Sequence, residues 1–126
     1  MGLEILLDTN AVLYHLRDNL DPPLPSASFS VSIVTKIELL SFPNLSADEE
    51  SRIREMLRNE VVVQELTDTI AEQAIVLRRS HRVKLPDAII AATAAVTGRE
   101  LMTNDLSLTK LPGVKSRSVY LRDAPP

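Results

Sequence analysis

Short apolar runs alternate with longer amphipathic segments along the chain, and this alternation most restricts the folds that the chain can adopt. The apolar runs lie at 3–7, 29–32, 61–66, 100–103 and 118–121, and each has the length of a single β-strand. Between them apolar residues recur at helical spacing, as Val12, Leu13 and Leu16 do. The predicted order is β-α-β-α-α-β-α-α-β-β, with the β-branched third run as a buried strand. We therefore expect an α/β three-layer sandwich, in which helices cover both faces of a mostly parallel five-stranded sheet.

Proline, glycine and capping residues indicate where the helices end. Ser46 and Glu49 have the spacing of a capping box, in which each side chain bonds the other residue's free backbone amide. Pro43 ends the preceding helix, and Pro86 lies where a helix tolerates proline, in its first turn. Gly98 is a natural stop for that later helix. The three prolines within 21–25 predict a loop.

The length and the residue types limit the kind of protein. A chain of 126 residues has room for one core, so we expect a single domain over 1–126, with 122–126 as a short tail. Cysteine is absent, which excludes thiolate nucleophiles and sulfur-bound metals and leaves oxygen or imidazole as metal ligands. No apolar stretch approaches the ~20 residues that span a bilayer, and the first residues have no signal-peptide pattern. We therefore expect a cytoplasmic protein without a membrane partner.

The charge balance limits how the chain could bind a nucleic acid. The net charge of -3 and the isoelectric point near 5.4 argue against a broad basic surface. Aromatic residues make up 3% of the chain, too few for the stacking platforms of RNA-recognition or OB-type sheets. A nucleic acid would therefore have to be bound through a local basic patch or a bound cation.

Acidic side chains follow the predicted strands at the edge where parallel α/β sheets bind ligands. Asp8 comes directly after the first strand, and Asp105 directly after the fourth. Asp87 joins them, because its helix ends just before the fourth strand and its first turn must therefore lie at the same edge. Glu38 lies about two turns into its helix, and its spacing leaves open whether it faces this edge or solvent.

Carboxylates gathered at one edge repel each other, by about 3 kcal/mol for a pair ~6 Å apart at an effective dielectric constant near 20. A shared proton or a hard cation would offset this repulsion, and an oxygen-rich site without cysteine favours Mg²⁺ or Mn²⁺. Such a cation activates water and neutralises charge on a phosphodiester, which is nuclease chemistry. Each acid also has a structural interpretation: Asp8 as a helix cap, Asp87 as a complement to the helix dipole, Asp105 as a turn residue and Glu38 as an exposed helical residue.

Other polar residues near these acids also have two interpretations. Asn10 and Thr103 either cap their elements or orient the ligands of a cation. Basic residues at and just beyond the end of the fourth helix, and in the last quarter of the chain, are either solvated or contact RNA phosphates. The candidates are Arg78, Arg82, Lys84 and Lys110. His15 and His81 are expected at the surface rather than as ligands.

Four segments in series resemble the successive motifs of the PIN-domain family, in particular the VapC-type toxins of toxin-antitoxin pairs. In chain order they are LLDTNAVLYHL, VTKIELL, KLPDAIIAATA and LMTNDLSLTKLPGV. The resemblance covers essentially the whole chain and implies a metal-dependent endoribonuclease with Mg²⁺ or Mn²⁺ as cofactor. It implies an acidic cluster, with Asn10 and Thr103 as polar support, that consists of Asp8, Glu38, Asp87 and Asp105. It also implies a cognate antitoxin that blocks the site and, in most relatives, a homodimer.

Three other functions stay open at the level of sequence. A phosphoacceptor receiver domain has a similar length and fold class, but it needs adjacent acids after the first strand and an aspartate ending the third. This chain has Asp8-Thr9-Asn10 and Gln64-Glu65 at those places. A haloacid-dehalogenase-type phosphatase would need an acid at the position of Asn10. A catalytically inert PIN-like binding module is the third alternative, and the four intact acids count against it.

Overall fold

The computed structural model describes residues 2–122 and contains one parallel β-sheet covered by helices. Its strands are β1 (Glu4–Leu7), β2 (Ser28–Ser32), β3 (Val62–Gln64), β4 (Glu100–Met102) and β5 (Ser116–Arg117). Its helices are α1 (Thr9–Leu16), α2 (Ile33–Leu40), α3 (Ala47–Asn59), α4 (Asp68–Ser80), α5 (Leu85–Thr97) and α6 (Leu106–Thr109). The pairings between these strands are all parallel, in the order β3-β2-β1-β4-β5. The predicted α/β sandwich is thereby confirmed.

Side chains of β1 alternate between the two faces of the sheet and contribute to two separate cores. Leu6 packs in the core beneath α4 and α5, which includes Leu77 and Ala91. Ile5 and Leu7 pack on the opposite face, in the core covered by α1, α2 and α3. Because both faces of this central strand are buried, its sequence is an apolar run rather than an alternation of apolar and polar residues.

Side-chain caps fix where the helices begin. Asp8, Ser32 and Thr67 cap α1, α2 and α4. At α3, Ser46 Oγ accepts a hydrogen bond from the Glu49 amide at 3.0 Å, and the Glu49 carboxylate accepts one from the Ser46 amide at 3.1 Å, which confirms the capping box. Asp8 and Ser32 directly follow β1 and β2, so the N-termini of α1 and α2 lie at the carboxyl edge of the sheet.

The prediction of a fifth strand at 118–121 is wrong. The fifth strand is Ser116–Arg117, which pairs with β4. Within the predicted segment, the Val119 carbonyl accepts from the Asn104 side chain at 2.8 Å and the Val119 amide donates to it at 2.9 Å, while Leu121 forms an isolated antiparallel bridge with Leu20. At Val119 a side chain thus satisfies the backbone groups that a neighbouring strand would otherwise pair with.

The third strand and the segment after β4 also differ from the prediction. β3 is an edge strand in which Val62 is 61% exposed, so it is not a buried strand. Its β-branched residues suit any pleated, half-buried surface, and an edge strand offers one. α6 was not predicted, because this single four-residue turn, capped by Asp105, is too short to show helical periodicity.

The expected tail at 122–126 falls mostly beyond the residues that the structure describes. Arg122, the last of these, donates hydrogen bonds to the carbonyl and the carboxylate of Asp18, so the tail begins with a residue attached to the domain. Residues 123–126 lie outside the described range. Within residues 2–122, the helices are all too short or too polar to cross a bilayer.

Candidate active site

The carboxyl ends of β1 and β4 lie side by side, at the point where the connections of the sheet change direction. From β1 the chain runs outwards through β2 and β3, and on the other side of β1 it runs outwards through β4 and β5. Open α/β sheets bind ligands at such a switch point. Asp8 directly follows β1, and Asp105 follows β4 after two residues. The topology therefore places both side chains at the ligand-binding edge.

Two helices bring further carboxyls to this edge. α5 ends at Thr97, Gly98 turns the chain with a φ of 70°, and β4 begins at Glu100, so Asp87 in the first turn of α5 lies at the carboxyl edge. Glu38 lies in the second turn of α2 and, where the sequence left its orientation open, it faces the same cavity. This cavity, of about 220 Å³, is lined by the carboxyls of Asp8, Glu38, Asp87 and Asp105.

Asp8 is the most buried acid of the cavity, with 6% of its surface exposed. Its Oδ1 accepts a hydrogen bond from the Ala11 amide at 2.7 Å, so it caps α1 while it lines the cavity. Burial raises the pKa of the Asp8 carboxyl, hydrogen bonds from the Thr103 side chain and the Ala11 amide oppose this rise, and the charges of Asp105 and Glu38 add to it. The carboxylate is therefore fixed in place by its hydrogen bond with the Ala11 amide, while burial and the neighbouring carboxyls disfavour its charged form.

Asp87 combines partial burial with like charge. Burial raises the pKa of its carboxyl, and the neighbouring Asp105, Glu38 and Asp8 carboxyls raise it further, whereas the Lys84 ammonium group lowers it. This mutual influence means that the four carboxyls lie close enough to repel one another. A divalent cation among them would relieve the repulsion.

Thr9 holds the Glu38 side chain, a role that the sequence reasoning misses. The Thr9 hydroxyl donates to Glu38 Oε1 at 2.6 Å, and it lies 3.1 Å from the hydroxyl of Thr35, which is fully buried. A hydroxyl carries one proton, so Thr35 is the donor in the second bond when Thr9 donates to the carboxylate. The sequence contains one signal for this arrangement: the spacing of three residues between Thr35 and Glu38 puts them on one face of α2.

Thr103 joins two of the acids. Its hydroxyl accepts a hydrogen bond from the Asp105 amide at 3.0 Å, and its side chain lowers the pKa of the Asp8 carboxyl. Asp105 in turn accepts from the amide and the hydroxyl of Ser107, at 2.9 and 2.7 Å. Asn10 lies at the exposed rim of the cavity, where its side chain makes no hydrogen bond within residues 2–122. Of the two expected supporting residues, the structure therefore connects Thr103 to the acids.

The basic candidates for RNA contact are only partly near this cavity. Lys84 directly precedes α5, and its charge acts on an acid of the cavity. The Arg78 guanidinium donates to the Val83 carbonyl at 3.3 Å and lines a separate apolar groove between α4 and α5. Arg82 and Lys110 are exposed, and neither lines the cavity.

The donor set of the cavity fits a hard divalent cation. Its ionisable groups are the four carboxyls, and oxygen atoms are the ligands that Mg²⁺ and Mn²⁺ prefer. Within residues 2–122, no group of three or more carboxyl or imidazole side chains lies close enough together to form a preformed metal-binding site. Mg²⁺ usually keeps several waters and binds through one or two carboxylates, so the cavity does not need such a preformed group of ligands.

The fold and this cavity define an α/β domain with an acidic site at its switch point. The family model of the PIN domain matches residues 5–114, a range that contains all four acids. The chain therefore belongs to the PIN-domain family, as its four motifs indicate. A sequence comparison with curated proteins gives no significant match.

Several solved structures have the same fold. A toxin-antitoxin complex from Klebsiella pneumoniae contains a chain that is 31% identical, with a TM-score of 0.68, and the match covers 87% of this chain and 94% of that one. VapBC2 from Rickettsia felis, bound to a promoter DNA fragment, is 17% identical with a TM-score of 0.77, covering 93% and 99% of the two chains. DNA-bound VapBC from Salmonella typhimurium is 21% identical with a TM-score of 0.74, covering 92% and 98%.

The strand order excludes a receiver domain. Receiver sheets have the order 2-1-3-4-5, in which the third strand lies beside the first. In this protein β1 lies between β2 and β4, and β3 is at the edge of the sheet. A phosphoacceptor at the end of the third strand would therefore be separated from Asp8 by β2.

Proposed function

We propose that the protein is a metal-dependent endoribonuclease that hydrolyses RNA phosphodiester bonds, and that it is the toxin of a type II toxin-antitoxin pair. One observation carries this proposal: carboxyls from four separate parts of the chain line a single cavity at the switch point of the sheet. Membership of the PIN-domain family and the likeness to VapBC proteins support the same function.

The cation, Mg²⁺ or Mn²⁺, would be held by the acidic cluster of Asp8, Glu38, Asp87 and Asp105. When bound, such a cation supplies activation of water and neutralisation of phosphodiester charge. The protein prepares the site through its hydroxyl groups, since the Thr9 hydroxyl donates to Glu38 and the Thr103 hydroxyl accepts from the Asp105 amide. These bonds orient the acids and limit the rearrangement that ligand binding requires.

Hydrolysis also needs a route for the proton that the attacking water loses. The ionisable groups that line the cavity are its carboxyls. A carboxyl that is not bound to the cation would accept this proton, and Asp87 and Asp105 both reach solvent as well as the cavity.

Incubation of the purified protein with RNA tests the proposal. We expect cleavage with Mg²⁺ or Mn²⁺ and none in EDTA. Glu38→Gln is the most informative variant, because it keeps the size of the side chain and an acceptor for Thr9 but removes the charge. Its activity should fall by more than the roughly 10- to 100-fold that outer-shell partners of a metal contribute. Wild-type rates in this variant would remove Glu38 from the site, and a wild-type protein that binds metal without cleaving RNA would favour an inert binding module.

We infer that a cognate antitoxin protein blocks this site, and that the toxin acts in the cytoplasm as a homodimer. The toxin-antitoxin complex and the VapBC structures among the structural neighbours support the antitoxin partner. Expression in a bacterial host should arrest growth, Asp8→Asn should abolish the arrest, and co-expression of the antitoxin should relieve it. Light scattering on the purified toxin measures its mass in solution, and a monomeric mass at working concentrations would contradict the homodimer.

A further inference from the structure

A second cavity, of about 90 Å³, adjoins the acidic cavity, and the two share the side chains of Leu13 and Phe42. This second cavity lies between α1, the loop after α2 and α3. Its lining includes two arginines, Arg17 and Arg52. The shared wall therefore connects the acids and the arginines along one continuous surface.

Both arginines keep capacity to bind an anion. Arg17 directly follows α1, and its guanidinium has no hydrogen-bond or ion-pair partner in the part of the chain that the structure describes. Arg52 donates from Nη2 to the Leu16 carbonyl at 2.7 Å and so caps the end of α1. A guanidinium has five N–H donors, so this one bond leaves most of its capacity available.

Glu49 also lines this cavity and partly offsets the positive charge. The pKa of Glu49 is lowered mainly by its hydrogen bonds with Ser46, and to a lesser extent by the charges of Arg17 and Arg52. Arg17, Arg52 and Glu49 line the same small cavity, so the two arginines lie near each other and near this carboxylate. Two arginines and one glutamate give the lining of this cavity a net positive charge, although the net charge of the whole chain is -3.

Phe42 lies between the acids and the arginines. It lines both cavities and is 40% exposed, in a chain with few aromatic residues. A flat, exposed aromatic ring beside a positive groove is the combination on which proteins stack single-stranded nucleic acid.

We propose that the RNA strand leaves the acidic cavity across Phe42, which stacks on a base, and that Arg17 and Arg52 bind the backbone phosphates beyond it. The proposal rests on the ribonuclease function proposed above. α1 separates the acids from Arg17 by eight residues, roughly 12 Å at ~1.5 Å per residue, so the ligand must be an extended polyanion rather than a mononucleotide. The exposed ring of Phe42 favours RNA as the ligand, because a base can stack on it. An acidic protein segment would use only the positive charge of the arginines.

RNA binding in EDTA tests this path, because the strand stays intact without the metal. The probe is a fluorescent single-stranded RNA of mixed sequence, titrated by anisotropy over a series of salt concentrations. We expect Arg17→Ala to weaken binding about threefold and to reduce the salt slope by about 0.7, the contribution of one phosphate contact on a single strand. Arg17→Ala combined with Arg52→Gln should weaken binding about tenfold.

Two sets of variants complete this test. Arg58→Ala removes the same charge from α3 at a residue that lines a different cavity, so its binding and slope should match those of wild type. Phe42→Leu keeps an apolar side chain without the flat ring and should weaken binding about tenfold, whereas Phe42→Tyr should bind like wild type. If Arg52→Gln unfolds because α1 loses its cap, Arg17→Ala decides the phosphate contact alone.

The outcomes separate this path from the function itself. A wild-type protein that neither binds nor cleaves RNA would refute the ribonuclease proposal. A wild-type protein that binds RNA, with Arg17→Ala and Phe42→Leu equal to it, would refute only the path, and an acidic protein segment would then be the better occupant of the cavity. Equal losses in Arg17→Ala and Arg58→Ala would also refute the path, since net charge alone would explain them.

Discussion

The Asp8 carboxyl combines two tasks that conflict within a single residue. It caps α1 through the Ala11 amide, which needs only an acceptor oxygen, but it is buried near other carboxyls, which disfavours its charge. We expect Asp8→Asn to abolish RNA cleavage and to raise the metal-free stability at pH 7 by about 1 kcal/mol, or roughly 4 °C in Tm. The amide keeps the accepting oxygen and removes the charge. Thermal unfolding in EDTA and a cleavage assay measure the two effects, and a lower Tm would mean that the charge is compensated in the folded protein.

The pKa of Asp8 predicts how that gain depends on pH. Burial raises this pKa above the usual 3.8, so the folded protein binds the proton more tightly than the unfolded chain does. The wild-type protein therefore gains stability from this group as the pH falls through the raised pKa, whereas Asp8→Asn gains none. The difference in the free energy of unfolding should be largest near neutral pH and should shrink as the pH approaches 3.8. Urea unfolding of the wild-type protein and of Asp8→Asn across this pH range measures the difference. A difference that does not depend on pH would contradict a raised pKa for Asp8.

The Thr9 hydroxyl orients Glu38 without being an ionisable group itself. We expect Thr9→Val, which keeps the shape but loses the hydroxyl, to lower the cleavage rate and the Mn²⁺ affinity by roughly 10-fold or more, as for outer-shell partners of other metals. Thr9→Ser restores the hydroxyl and should recover most of both. Mn²⁺ binding and cleavage are measured for the two variants side by side. Equal defects in both variants would assign the effect to packing of the methyl group instead of to the bond with Glu38.

At the scale of elements, the segment after β4 is held by a side chain rather than by a strand. Asn104 forms two hydrogen bonds with the Val119 backbone and so ties the residues next to Asp105 to the C-terminal segment. We expect Asn104→Ala to lower the free energy of unfolding by about 1–2 kcal/mol, at roughly 1 kcal/mol for each bond. The stabilisation by metal should also decrease, because Asp105 lies on the loosened segment.

Chemical denaturation of the Asn104 variant, with and without Mg²⁺, measures both effects. Asn59→Ala at the exposed end of α3 is a matched control, because it removes the same amide far from the sheet edge. If the two variants lost equal stability, the bonds with Val119 would contribute little to the fold.

At the scale of the whole molecule, the proposed cation would link stability to activity. A cation that binds only the folded protein stabilises it by about 2.7 kcal/mol at a hundredfold excess over Kd, and in this cavity it would also relieve carboxylate repulsion. We expect Mg²⁺ or Mn²⁺ to raise the Tm of the wild-type protein and EDTA to reverse the rise. The rise should decrease at acid pH, because protons compete for the Asp8 and Asp87 carboxyls, whose pKa values are raised. Thermal unfolding at several pH values measures this, with Glu38→Gln as the control that should respond least.

Much of this molecule follows from signals that are local in sequence. The apolar runs and the helical spacing indicate most of the elements, because burial on one face imposes a period on the residues that form it. The caps at Asp8 and at 46–49 mark helix starts, since the free amides of a first turn need acceptors within a few residues. Asp8, Asp87 and Asp105 could be assigned to one edge before the structure was known, because strand and helix direction follow from the alternation of elements.

Tertiary contacts decided what these local signals do not encode. β3 lies at the sheet edge, Glu38 faces the cavity through a bond with Thr9 that spans 29 residues, and Asn104 replaces a strand pairing through a bond that spans 15. Periodicity and capping describe neighbours along the chain and contain no information on which distant groups meet. Those pairings are selected only when the two cores pack against the sheet, and the contacts between the acids of the site are therefore properties of the folded molecule.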